Sequence, residues 1–190
     1  MSVNDVLVEN GIFEMEGHSG QSLGQSLSLA SLLLLPWVKR VMEIGFNAGH
    51  SAERWLQMRP EVEVVSFDLG AHRYIDMCKR EVDRQFPGRH ELVLGDSAQT
   101  VPGYTKHDSF DLIFIDGDHS YEAAKRDLVN CKRFAGARTI IVMDDTHMEG
   151  PGKAWLEACE SGVVMEESTH IFRFGRSQEI RAMSWGRFIL

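Results

Sequence analysis

Two short stretches hold the residues best suited to chemistry. Asp116-Gly117-Asp118-His119 closes the apolar run 111–115, and Asp144-Asp145-Thr146-His147 closes a second apolar run, 139–143. Carboxylates accept hydrogen bonds or hold hard cations. An imidazole with an unperturbed pKa near ~6.5 can take a proton at neutral pH. Apolar runs bounded by turn residues read as strands buried on both faces. In open α/β sheets, ligands bind where such strands end. As parallel neighbours, the two strands would bring their acidic ends into one polar site, and the rest of the chain would carry a cofactor up to it.

A glycine loop is the first candidate for that cofactor. The strand-like run Arg40-Val41-Met42-Glu43-Ile44 leads into Gly45-Phe46-Asn47-Ala48-Gly49-His50-Ser51 and a helix through Met58. Strand, glycine loop and helix together let backbone approach a nucleotide-like ligand. The spacing is Gly-x-x-x-Gly, not the G-x-G-x-x-G dinucleotide fingerprint, and no P-loop lysine follows. That spacing speaks against a nicotinamide-dependent oxidoreductase, the main rival enzyme class. The strand 61–67 ends at Asp68, about twenty positions on, where a ribose hydroxyl pair is held. The strand 91–94 ends at Gly95-Asp96-Ser97, suited to the base end of a cofactor. Each residue also has a plainer reading. Asp68, Asp96, Ser97, Ser51 and Asp118 all suit helix caps, and Asp118 reads as a cap before it reads as a ligand. His147 reads as a loop residue.

The positioning elements alternate. A Leu- and Ser-rich helix spans 23–35, stopped by Pro36. Helices 74–86, 120–134 and 153–160 follow the strands in turn. Glu149-Gly150-Pro151-Gly152 reads as a rim or lid loop. Residues 163–165 and 171–174 read as two strands at an antiparallel edge, and 181–190 as a last strand. Residues 1–22 carry little pattern, with Gly17-His18-Ser19-Gly20 a loop. The fold class expected is α/β, a Rossmann-like doubly wound sheet, mostly parallel with an antiparallel edge and helices on both faces. One domain spans 1–190, with an N-terminal helical cover segment at 1–38 and the core at 39–190.

Composition sets limits. With 190 residues, 43% hydrophobic and 25% charged, the chain has the makeup of a soluble globular domain. A net charge of −8 argues against a broad grip on nucleic acid or anionic membrane. Cys78, Cys131 and Cys159 form no CxxC pair, so neither a disulfide framework nor zinc is expected, and a reducing cytoplasm is. No signal peptide or spanning segment is read. A homo-oligomer stays open.

These residues carry a resemblance. Glu43-Ile44-Gly45-Phe46-Asn47-Ala48-Gly49 resembles the first motif, Glu-x-Gly-x-x-x-Gly, of class I S-adenosylmethionine-dependent methyltransferases. Asp68 stands where that fold places its ribose-binding acid, and Gly95-Asp96-Ser97 where it holds the adenine. Ile115 to Glu122 and Met143 to Thr146 resemble a narrower group, the small metal-dependent O-methyltransferases related to catechol, caffeoyl-coenzyme A and macrolide-sugar enzymes. The resemblance covers about residues 20–175. It implies S-adenosylmethionine bound by Glu43, Gly45, Asn47, Gly49, Ser51, Asp68, Asp96, Ser97 and Asp116. It implies Mg²⁺ or another divalent cation on Asp116, Asp144 and Asp145. His119 matches the general base of the sugar-modifying branch. The catechol-type branch has a lysine near there and an Asn after the second strand-end Asp; this chain has no lysine there and has Asp145. The expected acceptor is therefore a hydroxyl of a sugar or small natural product. Three carboxylates converging without a cation would repel and raise at least one pKa. The remaining alternative is a non-catalytic S-adenosylmethionine-binding module, which would have no need of the acidic strand ends.

Overall fold

Alternate side chains along each central strand leave for opposite faces, and here both faces are apolar. The computed structural model describes the chain except residues 14, 16–21 and 175–178. Its strands are β1 (Arg40–Ile44), β2 (Glu63–Asp68), β3 (His90–Leu94), β4 (Phe110–Ile115), β5 (Ala135–Met143), β6 (Val164–Phe174) and β7 (Glu179–Phe188). They form one seven-stranded sheet in the order β3-β2-β1-β4-β5-β7-β6. β1 to β5 pair in parallel, and β7 runs antiparallel to both β5 and β6. The helices are α1 (Val3–Glu9), α2 (Leu23–Leu33), α3 (His50–Met58), α4 (Ile75–Gln85), α5 (Ser97–Gly103), α6 (Tyr121–Cys131) and α7 (Glu149–Glu160). Val41, Val64, Leu112 and Phe114 face a core shared with α1 to α4. Met42, Val65, Ile113 and Ile115 face a second core shared with α5 to α7. This is the expected Rossmann-like sheet. Its connections lead outward from β1 to β3, then return to β4 beside β1. At such a switch point the adjoining loops part and leave a crevice.

Several local expectations are corrected. The 149–152 segment is the first turn of α7, not a loop. Pro151 is tolerated there because first-turn N–H groups have no intrahelical acceptor to lose. Both glycines answer close approaches: a Cβ on Gly150 would lie 2.0 Å from the His119 carbonyl oxygen, and one on Gly152 would lie 2.5 Å from that of Thr146. The two short strands expected at 163–165 and 171–174 are one long strand, β6, with a register shift between Glu166 and Ser168. It is an edge strand, so its polar middle is solvated and breaks the apolar pattern. The tail strand forms as β7. The N-cap of α6 is Ser120, not Asp118, which accepts from the Ser120 N–H at 2.7 Å one step earlier. Gly49, at φ 78°, begins α3, so Ser51 is not its cap. α1 forms within residues 1–22, where the pattern was too weak to place an element, with Ser2 and Asp5 making a capping box. The loop expected at 17–20 lies outside the described residues. Among the described residues, no helix is long and apolar enough to cross a membrane.

Candidate active site

The carboxyl ends of β1, β2, β4 and β5 open on a cavity of about 860 Å³, within the usual range for small-molecule sites. Gly45, Asn47, Ser51, Asp68, Asp96, Ser97, Asp116, His119, Asp144 and Asp145 all line it. Of the residues expected to bind the cofactor or the cation, Glu43 and Gly49 do not. Gly49 turns toward the Phe46 ring, where a Cβ would lie 2.5 Å from the nearest ring carbon.

Glu43 is fully buried on β1, beneath the loop. It accepts hydrogen bonds from the Ser51 hydroxyl and, at 2.5 Å, from the Ser66 hydroxyl. Burial pushes its carboxyl up to about 7, against those two hydrogen bonds and helped by the charge of Asp68. Glu43 therefore braces the loop from below. Asp68 holds it from the side, accepting from the Asn47 N–H and the Gly70 N–H, each at 2.8 Å. Asn47 adopts a left-handed φ of 49°, which Asn tolerates better than most residues. Its side chain accepts from the Tyr74 hydroxyl at 2.6 Å. Asp96 is the N-cap of α5, accepting from the Ala98 N–H at 2.8 Å. Ser97 donates to Asp127 at 2.7 Å.

The acidic end is built by strand pairing. Asp116 donates its N–H to the Ile44 carbonyl, and Asp144 to the Ile115 carbonyl, each at 2.9 Å. The ladder thus sets the ends of β1, β4 and β5 side by side. Single ligand-type atoms of Asp116, His119 and Asp145 lie within 4.8 Å of one another. Asp144, the other carboxylate expected there, lies outside that group. Its Oδ1 accepts from the Asp145 N–H at 2.9 Å and its Oδ2 from the Gln25 side chain. Burial, then the charges of Asp116 and Asp145, push the Asp144 carboxyl well above its usual range. Burial is the larger cause, and the neighbouring carboxylates add to it while Arg181 works against it.

Asp145 sits at a left-handed φ of 51°. Burial raises its carboxyl pKa. That effect is outweighed by the His119 hydrogen bond and by Arg181 and His147, so the pKa ends below the ordinary value. His119 Nε2 stands 3.2 Å from Asp145 Oδ2, and that contact raises the imidazole pKa. His147, read from sequence as a loop residue, stands in the turn before α7. Its Nδ1 accepts from the Ala182 N–H at 3.3 Å and stands 3.6 Å from Asp145.

At the acidic end of the cavity, Gln25 and Arg181 were not anticipated. Gln25 comes from α2 and Arg181 from β7, its guanidinium 3.7 Å from Asp145. Gln25 read as part of a helix start, and Arg181 belonged to a tail with little pattern. The structure brings both to the acidic end across more than thirty residues of intervening chain.

The arrangement offers a backbone cradle and a ribose-type carboxylate at one end. At the other it offers hard oxygen donors beside an imidazole, a set suited to Mg²⁺, Ca²⁺ or Mn²⁺ rather than to zinc. Comparisons with known proteins bear on the fold and the family. The chain resembles an O-methyltransferase from Bacillus cereus solved with SAH, at 18% identity and TM-score 0.74, over 97% of this chain and 88% of that one. TomG from Streptomyces achromogenes, an O-methyltransferase of tomaymycin synthesis solved with SAM, is 14% identical with TM-score 0.72, over 99% and 88%. CalS11, a TDP-rhamnose 3'-O-methyltransferase of calicheamicin biosynthesis, is 20% identical with TM-score 0.64, over 97% and 86%. At these identities the likeness is one of fold. No curated protein sequence matches the chain. A family model described as a methyltransferase domain matches residues 42–146, more than half of the chain. That span runs from β1 through the glycine loop to the acidic end of β5, and the chain belongs to this methyltransferase-domain family.

Proposed function

We propose that the chain is an S-adenosylmethionine-dependent O-methyltransferase that uses a divalent cation. Its acceptor is a hydroxyl of a sugar or another small natural product. The observation that carries this reading is the meeting of Asp116, His119 and Asp145 in the same cavity as the Gly45–Asn47 loop and Asp68. A cofactor cradle alone would not need that acidic end.

S-adenosylmethionine supplies the methyl group on a sulfonium. The cation, when bound, lowers the pKa of a coordinated hydroxyl. The chain's own residues do the rest. Asp68 accepts hydrogen bonds from vicinal hydroxyls, and the loop backbone leaves room for the cofactor. Asp116, Asp144 and Asp145 would supply hard oxygens, and the fit is supported by the approach of Asp116 and Asp145 to one another beside His119. His119 donates Nε2–H toward Asp145, which leaves Nδ1 to take the acceptor's proton. Such positioned bases typically contribute ~10²–10⁴-fold. Free Cys78, Cys131 and Cys159 suit the cytoplasm, which we also assign.

The test is transfer of a labelled methyl group to a panel of sugar and polyol hydroxyls, with and without excess EDTA. Transfer that EDTA abolishes and Mg²⁺ restores is expected. Full transfer in EDTA would sink the cation, and no transfer to any hydroxyl despite tight cofactor binding would sink the O-methyl reading.

A further inference from the structure

Gln25 occupies the third position of α2, and Ser22-x-x-Gln25 is the sequence of a capping box. In that motif the Gln side chain turns back to the N-cap N–H. Only half of the box forms here. Ser22 Oγ accepts from the Gln25 N–H at 3.2 Å, but among the described residues Gln25 Oε1 takes no hydrogen bond from Ser22 or from any other group. The side chain instead crosses to β5, where Nε2 donates to Asp144 Oδ2. Gln25 is 5% exposed and lines the cavity. Buried acceptors without partners are rare in native proteins, and those that occur point to a missing ion, water or ligand.

The position of Gln25 is firmly held. Ser22 Oγ donates to the Arg173 carbonyl at 3.3 Å, and Ser28 Oγ is 2.8 Å from His170 Nδ1. Both contacts tie α2 to β6. A side chain anchored in this way, with one amide atom on a strand-end carboxylate, presents its other amide atom without a donor. A carboxamide oxygen is a hard, neutral ligand of the kind Mg²⁺, Mn²⁺ and Ca²⁺ accept. It also adds coordination without adding charge to a site that already crowds Asp116, Asp144 and Asp145.

We propose that Gln25 Oε1 is an oxygen donor to the cation, so that α2 completes a site whose carboxylates come from the ends of β4 and β5. This inference rests on the cation reading of the same site. It makes α2 part of the metal centre as well as the cavity wall, and it gives Gln25 a function that its helix-cap sequence hides.

The experiment titrates Mn²⁺ into the full chain in the presence of S-adenosylhomocysteine, read by calorimetry and by the Mn²⁺ paramagnetic resonance signal. Gln25→Leu is expected to weaken Mn²⁺ binding by about tenfold to a hundredfold, as when a metal site loses a close partner. Its affinity for S-adenosylhomocysteine should be unchanged. Gln25→Glu keeps an oxygen in place and should bind Mn²⁺ at least as tightly as the wild type. Wild-type Mn²⁺ affinity in Gln25→Leu overturns the role of Gln25 and leaves the cation reading standing. A Gln25→Glu variant no better than Gln25→Leu overturns it too, since packing rather than the oxygen would then matter. No Mn²⁺ binding by the wild type removes both readings together.

Discussion

Gly45 and Asp116 pass so closely that no methyl group fits between them. A Cβ on Gly45 would lie 2.0 Å from the Asp116 carbonyl oxygen, and Gly45 has a φ of 98°. The glycine that opens the cofactor loop therefore also admits the strand end that carries the acidic site. Gly45→Ala is expected to meet both the backbone overlap and the unfavourable φ, at a cost of roughly 3 kcal/mol or more. Gly88 is the control. Its φ is 74°, but a Cβ there would meet nothing within 4 Å. Gly88→Ala should cost only about 1–2 kcal/mol. Urea unfolding of both variants checks the contrast, and equal losses would refute it.

Asp68 holds the same loop through a charged group. Both of its carboxylate oxygens accept backbone N–H groups, from Asn47 and Gly70. Each oxygen has lone pairs left for a ribose. Asp68→Ala should weaken S-adenosylhomocysteine binding about tenfold to a hundredfold, the scale of a hydrogen bond to a charged group. Asp83→Ala is the control, a half-exposed residue of α4 paired with Lys79, and it should leave the affinity unchanged. Calorimetry decides, and an Asp68→Ala variant with wild-type affinity removes the residue from the cofactor site.

Much of this geometry was legible in the chain because parallel strands announce themselves. The runs 112–115 and 139–143 are almost wholly apolar since helices cover both faces of the sheet. The acidic strand ends followed from that. What could not be read lay in contacts set by tertiary packing. Gln25 meets Asp144 across 119 positions, and the local pattern around Gln25 signals only a helix cap. The edge strand β6 was split in two because Glu166 to His170 alternate with solvent rather than with a second core. Gly150-Pro151-Gly152 looked like a loop because those residues break helices in their interiors but not in a first turn.

Glu43 gives the fold a pH dependence with a definite sign. Its carboxyl is raised from 4.5 to about 7 in the folded protein, so between those values the folded state binds more protons than the unfolded one. Stability from this group is fully present below about 4.5 and is lost as pH rises through about 7. The difference between the two pKa values corresponds to roughly 3 kcal/mol. Glu43→Gln removes the titration. The variant's stability relative to wild type should therefore rise by up to that amount between pH 5 and pH 8. The neighbouring His90, pushed down to about 3 by burial, titrates the same way in both proteins and cancels. Denaturant unfolding at the two pH values tests this, and a difference that does not change with pH contradicts it.

The start of α7 is the support on which His119 rests. A Cβ on Gly150 would lie 2.0 Å from the His119 carbonyl oxygen and 2.8 Å from the Tyr121 nitrogen. Both are backbone atoms, so Gly150→Ala must push α7 and the 119–121 turn apart. The Asp116–His119–Asp145 grouping would open with it, while the glycine loop and Asp68 stand on other strands. The expected result is a fall in the transfer rate with S-adenosylhomocysteine affinity retained. His119→Ala sets the ceiling, at ~10²–10⁴-fold if the imidazole acts as base, and Gly150→Ala should fall short of it by displacing the ring rather than deleting it. Gly136→Ala serves as the comparison, since a Cβ there would meet only the Thr139 hydroxyl at 3.9 Å. A Gly150→Ala protein with wild-type transfer rates would show that the turn yields without moving His119. Loss of cofactor affinity in that protein would show that the two ends of the cavity are not independent.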